Sequence, residues 1–446
     1  MKSRVPILLV VALILFSLAQ PPGVRADNAP NVLTVPKGQP IKIGWAGDQS
    51  LQVVKASTGT LDGTRMAVKG QNDAGGIDGF KLQVVPKDDQ CVADTAAIVA
   101  KQFVAEGNIA GIVGHLCSGA HLAAAAIYES AALASVSPTA SNPKVTEQGL
   151  IYTNTIAVKD SLRSPVDADY LYNFLSVRNL YLIDDGETYG KGLVDSLTAN
   201  FAAWSGTIAG TATLKRDASD SEIAALIAKL QAANSQAKLD AIYCGCYIEV
   251  AAFVSKALSA NGFAIPEYGT DAINIKDFVK LVGPANQVVA YSSSPIPNSD
   301  DKTLTDFETK FNQEFGKNSY ADYGPFEPQA YDAALLLIDA IKRTARLDSD
   351  GNLVIDRGQL AANIRATQGL PGLTGTISCT NTGECPTGSV GIFQLPDQQS
   401  MTSKPGASGR AWQLVKRYDP FHIPTPTILT TPATTPAATQ AAATAS

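Results

Sequence analysis

Short apolar runs alternate with segments of helical periodicity along most of this chain. Such runs, each closing on a polar turn, are typical of buried strands in a parallel sheet. In the first half, the pattern predicts strands at 41–46, 81–86, 109–113 and 134–137. The segments between them predict helices at 60–72, 95–106 and 120–132.

After Pro165 the alternation starts again, with a predicted helix to about residue 175. Further predicted strands are 180–184, 207–213 and 240–244, and predicted helices are 191–204, 221–233 and 249–261. Strand–helix alternation indicates right-handed βαβ units and parallel sheets. Two successive series predict an α/β protein of two Rossmann-like lobes, which suits a length beyond what one core supports.

The two ends of the chain differ in composition from the rest. Lys2 and Arg4 precede an apolar run at 5–19, followed by small residues at 24–26, which predicts a signal peptide over 1–26. The run is too short for a membrane span, so we expect export to the periplasm or cell surface. From Pro424 the chain is almost entirely Pro, Thr and Ala, which predicts a disordered tail over 421–446. That tail could be a plain solvated segment, a carrier of O-linked sugars, or a surface spacer.

The charge of the chain argues against two classes of partner. Removal of residues 1–26 takes away three basic side chains and no acid, which moves the formal net charge from −6 to −9. No clustered Lys/Arg stripe offsets this charge. Nucleic acid and anionic membrane surfaces are therefore poor candidates.

Two polar loops follow predicted strands, at 88–91 and at 114–119. Open α/β sheets bind ligands at the carboxyl ends of their strands. Ser118 would lie there beside backbone N–H groups of a helix that begins near Gly119, which suits an anion such as a carboxylate. This serine is the first candidate binding residue.

Cysteines fall in three pairs. Cys91 and Cys117 lie one on each strand-end loop, and an exported protein favours a disulfide over two buried thiols, worth about 3–4 kcal/mol in the chain-entropy model. Cys379 and Cys385 flank a short turn, assigned to the second lobe, and are expected to form another disulfide. The pair at 244 and 246 stays open: it could bond internally, remain as thiols, or pair elsewhere.

Catalytic and cofactor signals are weak. His115 and His121 lie near Ser118, so a Ser–His dyad with Asp271 is conceivable, but no Gly-x-Ser-x-Gly segment occurs. Neither a P-loop nor a dinucleotide-binding glycine motif is present, and no cysteine pair has zinc-site spacing. We therefore expect no enzyme activity, no cofactor and no metal.

Several short segments occur in the same order in one known family. The chain resembles the leucine/isoleucine/valine-binding proteins of bacterial ABC importers, which have the type I periplasmic binding fold. The segments that carry the resemblance, which runs on to about residue 395, are 41–44, 72–77, 88–91, 114–118, 137–141, 185–192 and 243–247.

The resemblance implies two lobes joined by a three-strand hinge that close on a ligand. The chain would cross between lobes near Asp160, near 292–294 and near 374–375. This places the first lobe at 40–159 and 294–374, and the second at 160–293 and 375–420.

The resemblance also implies a binding mode for an amino acid. The α-carboxylate would meet the hydroxyl of Ser118 and the backbone N–H and hydroxyl of Ser141. The α-ammonium would meet the carbonyl of Thr139 and the carboxylate of Asp271 on the second lobe. The remaining expected contacts are Leu116, Ala140, Tyr189, Tyr247 and Phe326.

One stretch departs from the family pattern. The first strand-to-helix loop, 45–50, has no tyrosine, and Trp45 could either line the pocket or be a buried core indole. Asp48 could contact a polar or cationic ligand side chain or cap a turn. Glu327, beside Phe326, is a second candidate polar contact, so the ligand's side chain is left open.

The expected function is that of an extracytoplasmic solute-binding protein of an ABC importer. It would be a monomer that captures a branched-chain or related amino acid, or an amide, and delivers it to the permease subunits. The alternative is a surface-tethered amino-acid sensor without a transport role, with the tail as its spacer.

Overall fold

The computed structural model describes residues 31–50, 54–298, 301–317, 319–397 and 411–423. The expected signal peptide and nearly all of the expected tail lie outside these residues. Among the helices that are described, none is both long and apolar enough to span a bilayer.

The first lobe is built on a five-stranded parallel sheet in the order β3-β2-β4-β5-β6. Its strands are β2 (Ile41–Gly47), β3 (Leu82–Asp88), β4 (Ile109–Gly114), β5 (Ser135–Ser137) and β6 (Thr153–Thr155). Every residue of β4 is buried, as expected for a parallel strand covered by helices on both faces. A small antiparallel sheet of β1 (Val32–Val35), β13 (Leu353–Asp356) and β12 (Arg346–Leu347) joins the same core.

Helices from two parts of the chain cover this sheet. They are α1 (Val54–Asp73), α2 (Ala93–Glu106), α3 (Ser118–Ser130), α4 (Lys144–Glu147), α10 (Asp301–Phe315), α11 (Ser319–Tyr323), α12 (Glu327–Thr344) and α13 (Arg357–Arg365). Helices α1 and α12 can pack closely because Gly63 has no Cβ. A Cβ at this position would collide with the carbonyl oxygen of Glu327. This approach fixes the start of α12 beside the edge of the cleft.

The second lobe has a seven-stranded sheet in the order β17-β16-β11-β10-β9-β7-β8. Five strands are parallel: β7 (Asn179–Asp184), β8 (Thr207–Thr213), β9 (Ala241–Gly245), β10 (Glu267–Thr270) and β11 (Ala290–Ile296). Two antiparallel strands extend it, β16 (Ser389–Leu395) and β17 (Gln413–Tyr418). Its helices are α5 (Asp160–Asp169), α6 (Thr188–Ala203), α7 (Asp220–Gln236), α8 (Ile248–Ala260) and α9 (Lys276–Val282).

The prediction of two α/β lobes with parallel sheets is confirmed, and one helix differs from its predicted form. Helix α5 begins at Asp160 and contains Pro165, whereas the sequence pattern placed its start after that proline. Pro165 is only the sixth residue, so its missing N–H costs one early hydrogen bond. The helix then continues as a π-helical turn over Tyr170–Phe174.

The last crossing between the lobes comes later in the chain than expected. Strand β15 (Thr376–Ile377) pairs with β14 (Leu370–Pro371), and Ile377, Cys379 and Cys385 pack into the core of the first lobe. Glu384 also forms a parallel bridge with Thr155 at the end of β6. The assignment of the Cys379–Cys385 turn to the second lobe is therefore wrong, because this turn extends the first sheet before the chain crosses into β16.

Candidate functional site

A cavity lies between the two lobes, at the carboxyl ends of both parallel sheets. Its volume is about 640 Å³, including space open to solvent. We call it the cleft cavity, and its walls are Asp48, Ala56, Ser57, Thr60, Leu116, Cys117, Ser118, Thr139, Tyr189, Tyr247, Asp271, Ala272, Ile275 and Phe326. Ser118 and Asp271, which the sequence placed on different lobes, therefore face one space.

On the first lobe, Ser118 is the first residue of α3 and is buried. Its hydroxyl oxygen accepts a hydrogen bond from the backbone N–H of Asn142 at 3.3 Å. The preceding residue, Cys117, makes no side-chain cap, so the first N–H groups of α3 remain available to a ligand. A helix N-terminus with such groups favours a negative charge.

The loop after β5 is anchored so that two backbone groups stay available. The hydroxyl of Ser137 donates to the carbonyl of His115 at 2.7 Å and accepts from the N–H of Ala140 at 2.9 Å. The hydroxyl of Thr139 donates to the carbonyl of Leu116 at 2.7 Å. Within the described residues, the carbonyl of Thr139 and the N–H of Ser141 have no hydrogen-bond partner. These are the two backbone groups that the resemblance assigned to a ligand.

On the second lobe, Asp271 follows β10 and is held by two donors. Nη1 of Arg163 donates to its Oδ1 at 2.6 Å, and the hydroxyl of Tyr189 donates to the same oxygen at 2.7 Å. Nη2 of Arg163 also donates to Oδ1 of Asp160 at 2.7 Å. Among the described residues Oδ2 of Asp271 accepts no hydrogen bond, which leaves it for a ligand.

Burial and charge shift the pKa values of this cluster. Burial raises the pKa of Asp160 to about 6, although the Arg163 guanidinium opposes that shift. Burial alone would lower the pKa of Arg163, but the carboxylate of Asp271 and the hydroxyl of Tyr189 raise it well above its ordinary value. Arg163 therefore stays charged inside the protein.

Two tyrosines form the aromatic wall of the second lobe. The rings of Tyr189 and Tyr247 lie 5.0 Å apart between centroids. The backbone N–H of Tyr247 donates to Oδ2 of Asp185 at 2.9 Å, which fixes the start of α8. The guanidinium of Arg216 covers the Tyr247 ring at 4.3 Å from its centroid. Phe326, the residue before α12, contributes an aromatic wall from the first lobe.

The lobes contact each other across the cleft. Nδ2 of Asn142 donates to the carbonyl of Thr188 at 3.0 Å, and Nη2 of Arg216 lies 3.7 Å from Sγ of Cys91. These contacts join loops of the first lobe to the second, so the protein is in a closed conformation.

Buried polar groups brace the two strand-end loops. Cys91 and Cys117 are joined by a disulfide. Beneath it, the ring nitrogens of His115 contact Oδ2 of Asp89 at 2.6 Å and the hydroxyl of Tyr128 at 2.8 Å. Burial lowers the pKa of His121 to about 3, so that ring is neutral.

The sequence of the chain matches a known family over most of its length. The sequence model of a family described as "periplasmic binding protein" matches residues 40–399. The chain belongs to the periplasmic binding protein family.

Two curated proteins are examples of its relatives. A leucine-specific-binding protein of Salmonella typhimurium is 31% identical over 252 residues, which is 55% of this chain and 64% of the relative. A Leu/Ile/Val-binding protein of Escherichia coli is 29% identical over 214 residues, 46% of this chain and 54% of that protein. The periplasmic binding protein described here thus aligns with less than two thirds of either relative.

Solved structures share its fold. A branched-chain amino acid transporter substrate-binding protein from Streptococcus pneumoniae, in complex with isoleucine, has a TM-score of 0.69 and 23% identity, covering 85% of this chain and 100% of that one. A leucine-binding protein from Thermotoga maritima has a TM-score of 0.71 and 19% identity, covering 85% and 99%. At these identities the likeness shows the type I periplasmic binding fold alone.

Three expected contacts do not reach the cleft cavity of this periplasmic binding protein. Trp45 is fully buried, because its indole lies in the core of the first lobe between the sheet and the helices that cover it. Ala140 is fully buried, and its N–H and carbonyl are engaged by Ser137 and Thr155. Glu327 is enclosed between α1 and α12, where burial raises its pKa well above the ordinary value.

The remaining expected residues occupy two adjoining spaces. Leu116, Thr139, Tyr189, Tyr247 and Phe326 border the cleft cavity with Ser118 and Asp271. Ser141 borders a smaller neighbouring space, which we call the hinge cavity because segments 156–158, Pro295 and Thr387 line it. The two cavities share Thr139, Asp271 and Phe326 as walls.

Sequence reasoning missed several residues of the site. Ala56, Ser57 and Thr60 of α1 line the cleft, because that helix begins at Val54 rather than at 60. Arg163 was missed as well, and its only signal was the Asp-x-x-Arg spacing with Asp160. The pairing of Cys244 and Cys246, which the sequence left undecided, is a disulfide between the two. The expected disulfide between Cys379 and Cys385 is also present.

Proposed function

We propose that this protein is the extracytoplasmic solute-binding component of an ABC importer and captures a branched-chain or closely related amino acid by closure of its two lobes. The observation that carries the proposal is that Ser118 and Asp271, on different lobes, border the same cavity. Donors for an acid group lie on one side of that cavity, and an acceptor for an amine lies on the other.

The proposed binding mode assigns each end of a zwitterion to one lobe. The ligand carboxylate meets the hydroxyl of Ser118, at the start of α3, and the backbone N–H of Ser141 in the loop after β5. The ammonium meets the carbonyl of Thr139 and Oδ2 of Asp271. Charge-assisted hydrogen bonds of this kind contribute about 1.5–3 kcal/mol each, and only the closed form makes the full set.

The walls of the cleft cavity support an aliphatic side chain. Leu116, Ile275 and Phe326 contribute apolar surface beyond the polar groups. Relatives named leucine-specific-binding and Leu/Ile/Val-binding support the same ligand class. We further propose export on the signal peptide at 1–26, a monomeric state and delivery of the ligand to permease subunits.

We propose that the protein binds its ligand without chemical turnover. Both ring nitrogens of His115 contact Asp89 and Tyr128, and burial keeps His121 neutral. The hydroxyl of Ser118 accepts from Asn142, an arrangement suited to binding an anion rather than to activating a nucleophile.

Titration calorimetry with L-leucine, L-isoleucine and L-valine tests this proposal. Wild type should bind at least one of them, and Asp271→Asn should weaken that binding by at least about tenfold, since it removes a charge-assisted contact. Asp277→Asn is the matched control, because Asp277 pairs with Lys280 on the surface of α9 and borders neither cavity. No heat of binding with any of the amino acids would contradict the proposal.

A further inference from the structure

Arg163 is a buried cation one layer behind the cleft cavity. It is 3% exposed, lies in the first turn of α5 just after the chain leaves the first lobe, and lines the hinge cavity. A cation is an unexpected neighbour for the acid that would hold a ligand's ammonium.

The guanidinium is shared between two carboxylates. Nη1 contacts Oδ1 of Asp271 at 2.6 Å, and Nη2 contacts Oδ1 of Asp160 at 2.7 Å. Asp160 is fully buried and borders neither cavity, whereas Asp271 borders both. Of the two acids, only Asp271 therefore faces a ligand, and it does so as half of an ion pair.

This pairing changes what a ligand must supply. A lone carboxylate in a closed cleft would be an uncompensated charge unless the ligand brought a cation, and such charges are strongly destabilising. The negative charge of Asp271 is already paired with Arg163, but Arg163 also pairs with Asp160, so the charge of Asp271 is only partly compensated. A ligand ammonium should then improve binding without being indispensable.

Resting on the proposed function, we propose that Arg163 sets how strongly the cleft demands an amino group, and that the cleft accepts carboxylic acids that lack the α-amino group alongside the corresponding amino acids. Arg163 is a positioning residue in this account, since it acts on the ligand through Asp271. Its two contacts give opposite predictions for its two partners. Loss of Arg163 leaves Asp271 dependent on the ligand's ammonium, while loss of the Asp160 charge gives Asp271 the whole guanidinium.

The test compares an amino acid with its desamino acid in the same protein. The probes are the tightest-binding of L-leucine, L-isoleucine and L-valine and its partner among 4-methylpentanoate, 3-methylpentanoate and 3-methylbutanoate. Titration calorimetry gives the ratio of the two dissociation constants, desamino acid over amino acid. Arg163→Gln should raise this ratio at least about tenfold, and Asp160→Asn should lower it about threefold or more.

Two further variants separate charge from packing. Arg163→Lys keeps the positive charge but not the fork that reaches both acids, so it should raise the ratio less than Arg163→Gln does. Arg357→Gln removes another buried arginine, 7% exposed on α13, and should leave the ratio unchanged. Thermal unfolding checks that each variant is folded. If Arg163→Gln does not fold, the ratio measured for Asp160→Asn tests the inference in its place.

The outcomes distinguish this inference from the proposed function. A ratio that stays the same or falls in folded Arg163→Gln, or a wild type that binds the amino acid but shows no binding of the desamino acid, overturns the inference alone. A wild type that binds none of the three amino acids overturns the proposed function, and the inference with it.

Discussion

The side-chain amide of Asn142 donates a hydrogen bond to the carbonyl oxygen of Thr188 at 3.0 Å, and this contact joins the two lobes. The same Asn142 donates its backbone N–H to the hydroxyl of Ser118. One residue thus links the closure of the cleft to the serine proposed to hold the ligand. The closed form should be sensitive to anything that displaces this side chain.

Gly192 of α6 gives a direct way to displace it. A Cβ at Gly192 would collide with Nδ2 of Asn142, and its other neighbours within 4 Å belong to the same side chain. Gly192→Ala should therefore weaken amino-acid binding about threefold to tenfold by opposing closure, without lowering the stability of the ligand-free protein. Titration calorimetry and thermal unfolding measure the two effects.

The control for that variant is Gly70→Ala in α1, where a Cβ meets nothing within 4 Å. A double variant provides a sharper check. Once Asn142→Ala has removed the obstructed amide, adding Gly192→Ala should cost no further affinity. Additive losses in the double variant would show that Gly192 acts through some other contact.

Arg216, on the second lobe, is also expected to stabilise the closed form, because it contacts the first lobe. It covers the Tyr247 ring at 4.3 Å and approaches the Cys91 sulfur of the first lobe. Arg216→Ala should weaken ligand binding by at least about twofold to fivefold, since this cation–π contact is half-buried and exposed ones already contribute about 0.5–1 kcal/mol. Arg178→Ala is the matched control, because Arg178 covers Tyr172 at 3.6 Å within the second lobe. Equal losses in both variants would contradict a specific role for Arg216.

The disulfide that closes the longer loop should stabilise the protein more. Replacing Cys91 and Cys117 together by Ala opens a loop with a sequence separation of 26 and should cost about 3–4 kcal/mol in the chain-entropy model. The same change at Cys379 and Cys385, with a separation of 6, should cost about 2 kcal/mol. Denaturant unfolding of ligand-free protein compares them, and a larger loss from the shorter loop would contradict this ranking.

Stability should fall as the pH rises from about 4.5 to about 8 because of Glu267. This side chain is fully buried in β10, and burial raises its pKa to about 8. Since the folded pKa lies above the ordinary value of 4.5, the contribution of this side chain is fully present below about pH 4.5 and is lost as the pH rises from there to about 8. The melting temperature should fall between about pH 5 and 8 in wild type, and less steeply in Glu267→Gln. The exposed Glu314→Gln should follow wild type, and identical slopes in all three proteins would rule out this origin.

The fold was predictable because its strands are short, apolar and closed by polar turns. Strand 207–213 has the predicted bounds, and Ser118 lies at the start of a helix after a buried strand, as its sequence context indicated. Tyr189, Tyr247 and Asp271 border one cavity because each lies within five residues of the carboxyl end of a strand of the second sheet. The local pattern was sufficient for Ser118, whereas the three residues of the second lobe came from the family resemblance.

The features that were missed depend on contacts between distant parts of the chain. Arg163 and Asp271 are 108 residues apart, and no local pattern pairs them. The turn at Cys379–Cys385 joins the first lobe through a bridge from Glu384 to Thr155, which its own sequence does not indicate. Trp45 and its neighbour Ala46 pack into cores on opposite faces of the first sheet, and only the packed structure shows which way the indole lies.

A crystal structure of the protein with the amino acid that raises its melting temperature most tests the central claim most directly. We expect one ligand in the cleft cavity, reaching the point where it adjoins the hinge cavity, with its carboxylate on the hydroxyl of Ser118 and the N–H of Ser141. Its ammonium should lie about 3 Å from Oδ2 of Asp271. A ligand bound in the reverse orientation, or at a site that Ser118 and Asp271 do not share, would contradict it.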